Sequence, residues 1–433
     1  MSSSQRSSKS RRSGRVALDR LVPLTARATL FYDIRSAPLN GIYLGVMSLL
    51  PWVLRDTLHG SDWEVAVLSA VPNVAHLLDI WYAHLCANRR KMPFVLWPGL
   101  VARFLIVLSG LALNSVMFLV MASVSYVVAC VSTPAVNSIW RGNYPGSHRY
   151  KVLGTVLAVM HLSSAATAFA AGLLLRSVTV PWLYRAVFVT GGAVGMLGVV
   201  VFSRIRVRGE RPGGDEVFGD VERFNPFRSL GLLWRDRKFG KYMLVQFMSG
   251  FSNMMTVPVL VALLKLQRAD WLKAALALGV APSLVTAVLM PVWGRVLQRF
   301  NPLQARSFFN FLWAGGFLMI ARSGLDVNWV IGARLLMGAA MGATTLLWTL
   351  QQMYFARKED VPKYMGVHCT LTGIRGLVAP FLGVTIMKAW QDPHLVFYLA
   401  AAGLMCAGFL SLTMASREPG GKRGHVDGGA QEG

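Results

Sequence analysis

Acidic residues are scarce in this chain: 20 Asp and Glu stand against 44 Lys and Arg, a formal net charge of +24 over 433 residues. Charged residues of both signs make up only 15% of the sequence and hydrophobic residues 54%, a balance that excludes an ordinary soluble domain. Cysteine is rarer still. Cys86, Cys130, Cys369 and Cys406 lie far apart in apolar stretches with no CxxC spacing, which excludes a disulfide framework and leaves no metal centre to expect. The sequence has no HExxH, no GxSxG and no glycine-rich phosphate loop. Zinc hydrolase, serine hydrolase and ATP-driven pump chemistry are thereby excluded, no cofactor is expected, and the chain does not read as an enzyme.

What is present is apolar. Crossing a bilayer takes about 20 predominantly apolar residues. Twelve such stretches lie near 32–54, 63–87, 93–113, 115–139, 152–175, 181–202, 241–264, 271–296, 304–322, 328–354, 364–388 and 393–415. The fold class is therefore an all-α polytopic membrane protein with the lipid bilayer as its solvent. Lys and Arg gather in the tails and in alternate loops, among them Arg89, Arg90, Lys91 and the run Arg204, Arg206, Arg208, Arg211. This positive-inside pattern places both termini in the cytoplasm of a cell inner (plasma) membrane, and it accounts for the basic charge without nucleic acid as a partner. The chain divides into a basic tail over 1–30, six helices within 31–202, a cytoplasmic linker over 203–240 with a short amphipathic helix around 225–234, six helices within 241–416, and a tail over 417–433. A monomer is expected.

Several local patterns recur at nearly one offset, the signature of an internal repeat. Asp62 and Trp63 return as Asp270 and Trp271, 208 residues on; Asn40 returns as Asn253 and Pro72 as Pro282, at 213 and 210. Arg149, Tyr150 and Gly154 are echoed by Lys363, Tyr364 and Gly366. Two similar six-helix halves are the simplest account.

That arrangement resembles the major facilitator superfamily, whose loop between helices 2 and 3 reads Gly, three residues, Asp, Arg, any residue, Gly, then two basic residues. The first copy here has Ala83 for the Gly and Ala87 for the Asp, and keeps Arg89, Arg90 and Lys91. The second keeps Gly294 and Arg299, with Gln298 and Asn301 at the other two places. Helix 10 carries Arg334, Gly338 and Gly342, similar to the family's helix 4 pattern. The resemblance implies a transporter of a small-molecule substrate by alternating access, with helices 1, 4, 7 and 10 around a central cavity. The departures in the first copy keep a second possibility open, a non-transporting scaffold, sensor or assembly factor of the same fold.

Polar residues in hydrocarbon need a partner or a cavity. On the expected cavity helices these are Asn40, Tyr43, Tyr126, Gln246, Asn253, Trp348 and Gln351, candidates for substrate binding and equally for bonds between helices. Asp79 lies well inside a predicted span, with His76 at i,i+3 on one helical face. A carboxylate beside an imidazole suits proton coupling; the alternative is that Asp79 neutralises Arg103 in helix 3. Arg35, Arg103, Arg185, Arg334 and Arg375 outnumber the intramembrane acids Asp33 and Asp79, and Arg185 and Arg334 lie near enough to a boundary to snorkel. Arg375 sits mid-helix, with His161 as its repeat counterpart. Because Arg grips carboxylate or phosphate bidentately, an anionic or zwitterionic organic substrate is expected. The alternative is a gate in which Arg375 bonds helix-end carbonyls or Asp33.

Overall fold

The computed structural model describes residues 22–86, 89–177, 182–208, 230–297, 300–350, 355 and 361–416. Among these, helix follows helix in twelve rods. They are α1 (Arg27–Thr57), α2 (Asp62–Ala75, His76–Leu78 and Asp79–Cys86), α3 (Lys91–Gly110), α4 (Ser115–Asn143), α5 (Gly146–Ser177), α6 (Leu183–Phe202), α7 (Arg237–Leu266), α8 (Trp271–Val296), α9 (Pro302–Ala321), α10 (Val327–Leu350), α11 (Val361–Trp390) and α12 (Pro393–Ser416). Ten candidate spans are long and apolar enough to cross a membrane. The other two rods have local reasons for falling short: α2 is cut by a 3-10 turn at His76–Leu78, and α9 carries Gln304, Arg306 and Asn310 in its apolar run. Of the predicted linker, 209–229 lies outside the described residues, and a short helix at Leu232–Arg235 ends it.

Several of the few acids stand at helix starts, where free backbone N–H groups need acceptors. Asp236 caps α7 and Asp270 caps α8; Asn114 and Asn301 do the same for α4 and α9. Ser61 and Glu64 close a capping box on α2. The repeat is visible in these caps. His59 and Arg268, 209 residues apart, both take the left-handed conformation, and Ser61 and Asp270, also 209 apart, are the two N-caps. The Asp-Trp pairs noted in the sequence are thus one residue out of structural register.

Within each half the helices pack closely, α1 on α5 and α6 in the first, α7 on α11 and α12 in the second. The halves meet along two seams, α2 against α11 and α5 against α8. Small residues permit these seams: Gly172 of α5 faces Ala275 of α8, while Gly373 and Gly376 of α11 face Leu77 and Asn73 of α2. With no hydrophobic drive between helices in lipid, such close backbone approach supplies the packing energy.

Candidate functional site

In the first half, Arg103 is the hub. Its Nη2 donates to Asn40 Oδ1 at 2.7 Å, its Nη1 to the Gly99 carbonyl at 3.1 Å, and its guanidinium lies 4.7 Å from the centre of the Tyr43 ring. Asn40 Nδ2 donates in turn to the Ser36 carbonyl. Gly195 and Gly198 of α6 leave room for Tyr43 and Asn40. Asn40 is therefore committed to Arg103, whereas its repeat counterpart Asn253 makes no side-chain hydrogen bond among the described residues.

Asp79 does not pair with Arg103. Its Oδ2 lies 2.6 Å from His76 Nδ1, and its Oδ1 is buried without a partner. The 3-10 turn explains the contact, because three residues per turn eclipse i and i+3. The His76 ring lies 5.7 Å from that of Trp348 in α10, which lies 5.3 Å from that of His368 in α11. A chain of rings thus crosses from the first half to the second beside the Asp79 carboxyl. His161 is buried in α5 with Nδ1 unpartnered and makes no described contact with Arg375.

The fold also brings Cys130 Sγ to the His76 and Asp79 donors, all within 4.8 Å of one another, a convergence invisible to cysteine spacing. The His76 to Asp79 contact is that of a hydrogen-bonded pair. Two ligands of one tetrahedral ion with bonds of about 2.0–2.3 Å stand more than about 3 Å apart, so this arrangement is not that of a formed metal centre.

In the second half Arg375 donates to the Gln246 carbonyl, in the middle of α7, and to Thr372 Oγ1 at 3.1 Å. It reaches α7 because Gly250 has no side chain: a Cβ there would overlap the guanidinium. The alternative partner Asp33 is engaged elsewhere, accepting from Trp140 Nε1 and Tyr144 Oη at 3.0 Å each. Gln246 Nε2 donates to Tyr242 Oη. Arg334 does not snorkel free: its Nε donates to the Ala277 carbonyl at 2.9 Å. Tyr126 stands by Tyr43, Lys91 Nζ donates to the Cys86 carbonyl that ends α2, Arg89 and Arg90 are exposed, and Gly294 is buried. Gln351 and Arg299 lie outside the described residues.

Sequence reading misses Arg306, which falls two residues inside the predicted start of helix 9, where a basic residue reads as a helix end. In the structure it is buried beside Tyr242 and Arg375. The extra signal was Asn310 one turn on, which puts a second polar group on the same face.

At the face away from the chain ends the halves are tied by three ion pairs: Arg176 to Asp270 at 3.2 Å, Lys265 to Asp56 at 3.8 Å, and Lys388 to Asp62 at 4.0 Å. Trp63 stacks on Phe381 beneath them. At the opposite face the described polar contacts stay within a half, as in Asp33 with Tyr144 and Tyr364 with Asp236.

Two similar helical halves, joined by seams of small residues and pinned at one face, around polar side chains deep in apolar helices, define a multi-pass membrane transporter. The sequence matches the Major Facilitator Superfamily over residues 39–281 and again over 242–431, and the chain belongs to that family. It is accordingly a transporter rather than an enzyme. Among solved structures it is similar to a point mutant of the nucleoside transporter NupG, with a TM-score of 0.69 at 9% identity over 90% of this chain and 99% of that one. It is also similar to a bacterial homologue of the human lysosomal transporter Spinster, inward-facing and unoccupied, with a TM-score of 0.58 at 17% identity over 91% and 95%. A point mutant of the E. coli fucose:proton symporter FucP gives 0.59 at 13% identity over 88% and 99%. At such identities these likenesses speak to the fold alone. No curated protein matches the chain.

Proposed function

We propose that this protein carries a small anionic or zwitterionic organic solute across the cell inner membrane as a monomer, by alternating access, with proton coupling through Asp79 and His76. Both termini are cytoplasmic in this reading, with no nucleic-acid partner, so the face pinned by ion pairs is external and the conformation is sealed to the outside. The observation that carries the reading is the His76, Trp348 and His368 chain of rings: the Asp79 carboxyl sits where the two halves touch, so its protonation acts on the contact that must break and re-form. The preference for an anion rests on the arginines within the spans outnumbering the acids Asp33 and Asp79 there. One observation favours a non-transporting scaffold instead, the loss of the loop Asp at Ala87.

Purified protein in liposomes under an imposed proton gradient, with internal pH recorded against organic anions, sugars, amino acids and cations, decides between them. Solute-dependent proton entry that disappears in Asp79→Asn supports the coupled reading. Proton entry unchanged in that variant would remove Asp79 from the mechanism, and absence of flux for every labelled solute would favour the scaffold.

A further inference from the structure

Four side chains in the interior of the second half have nitrogens that no described residue satisfies. Arg306 of α9 is 8% exposed and makes no hydrogen bond or ion pair among the described residues. Arg375 of α11 is 5% exposed with its Nε unpartnered. Asn310, one turn beyond Arg306, accepts at Oδ1 from Ser249 Oγ at 3.1 Å and leaves its buried Nδ2 without an acceptor. His368, 1% exposed, has its Nε2 unpartnered.

These groups are neighbours. Arg306 acts electrostatically on Arg375, Tyr242 acts on both, and both act on His368. Through Gln246 and Ser249, α7 touches Arg375 and Asn310. The Arg and Asn nitrogens of this surplus are donors, His368 Nε2 joins them in the tautomer that protonates it, and nothing described in this half balances it. Its described acids, Asp236, Asp270, Asp326 and Asp392, all stand at helix starts and accept backbone N–H groups there. Two buried guanidiniums without a carboxylate among the described residues of this half cost several kcal/mol per ion unless an anion joins them.

We propose that Arg306, Arg375, Asn310 and His368 form an oxyanion site, for a carboxylate or phosphate group, inside the second half between α7, α9 and α11. Planar forks of N–H groups match paired oxygens, and the amide and imidazole supply the donors that a tetrahedral or planar oxyanion has lone pairs to accept. The inference deepens the anionic-solute reading and rests on it only for the source of the ligand: the oxyanion is either the charged end of the carried solute or a free ion held as a resident.

Labelled inorganic phosphate and labelled acetate are each titrated onto the full chain in nanodiscs. Saturable binding of at least one is expected, weakened roughly tenfold or more in Arg306→Gln and in Arg375→Gln, and unchanged in Arg35→Gln. No saturable binding of either anion, or binding by Arg306→Gln equal to wild type, overturns the site. Arg306→Lys, which keeps the charge and loses the fork, guards against misfolding of the Gln variant and is expected to bind with intermediate affinity. Uptake into liposomes then separates the sources. A bound oxyanion that is also carried is the solute's. One that is bound and never carried is a resident ion, which sustains the site while ending the anionic-solute reading. Anion uptake unaffected by Arg306→Gln overturns the site and leaves that reading standing.

Discussion

At the scale of single residues, the decisive positions are those where a side chain is missing. Gly250 lets the Arg375 guanidinium lie against α7. Gly250→Ala is therefore expected to push it off the Gln246 carbonyl and to destabilise the fold by about 1–3 kcal/mol, the range for overpacking. A falling Tm in detergent together with weakened substrate affinity would bear this out; an unchanged Tm would show that Arg375 has another comfortable position. Asp79 makes the second residue-scale prediction. Its pairing with His76 was legible from i,i+3 spacing, although the 3-10 turn that tightens it to 2.6 Å was not, because nothing in the residues from His76 to Leu78 signals a change of hydrogen-bond period. Replacing His76 by Gln is expected to flatten the pH dependence of transport while leaving a residual rate, read from initial uptake across a pH series. The bond from Arg103 to Asn40 was not legible either: both residues stood out as polar in hydrocarbon, but which of them would meet depends on helix rotation.

At the scale of the element, α8 shows how a local defect is mended from outside. Its π-turn at Leu276–Val280 sends the Ala281 N–H back to the Leu276 carbonyl, and the next residue that could serve Ala277 is Pro282, which has no N–H. Arg334 Nε fills the place at 2.9 Å. Pro282 stands out in the sequence as a repeat position and Arg334 as a cation near enough to the boundary to snorkel, yet their connection needed the extra residue of the π-turn, which leaves no mark in composition. Arg334→Leu should cost about 1–3 kcal/mol, the penalty of an orphaned buried carbonyl. Adding Pro282→Ala, which restores an N–H, should recover part of that loss, and a double-mutant cycle in thermal unfolding measures the recovery. If the two losses merely add, the arginine serves the helix in some other way.

At the scale of the molecule, the helical halves and their repeat were plain from apolar runs and recurring residues, since burial in lipid leaves only helices to satisfy the backbone. The seam was not plain, because which faces of α2, α5, α8 and α11 meet is a property of packing. The ion pairs on the distal face are partly exposed, so each contributes about 0.2–1 kcal/mol, and none alone holds the face shut. Asp62→Asn with Asp270→Asn is expected to shift the population toward the face-open form by several-fold, not wholly. Spin labels at 59 and 268 would report it as a second, longer distance, and raised salt should mimic the change in wild type.

Asp270 performs two tasks with its two oxygens: Oδ1 accepts the Lys273 N–H that begins α8, and Oδ2 meets Arg176. In the first half the same tasks are split, Ser61 beginning α2 while Asp62 meets Lys388 and, at 2.8 Å, Arg55. Division of labour after duplication leaves Asp62 free to change with only its ion pairs at stake. Asp270 has no such freedom, since losing it would unseat a helix as well as a contact, so in a collection of descendants the first aspartate should vary and the second should stay.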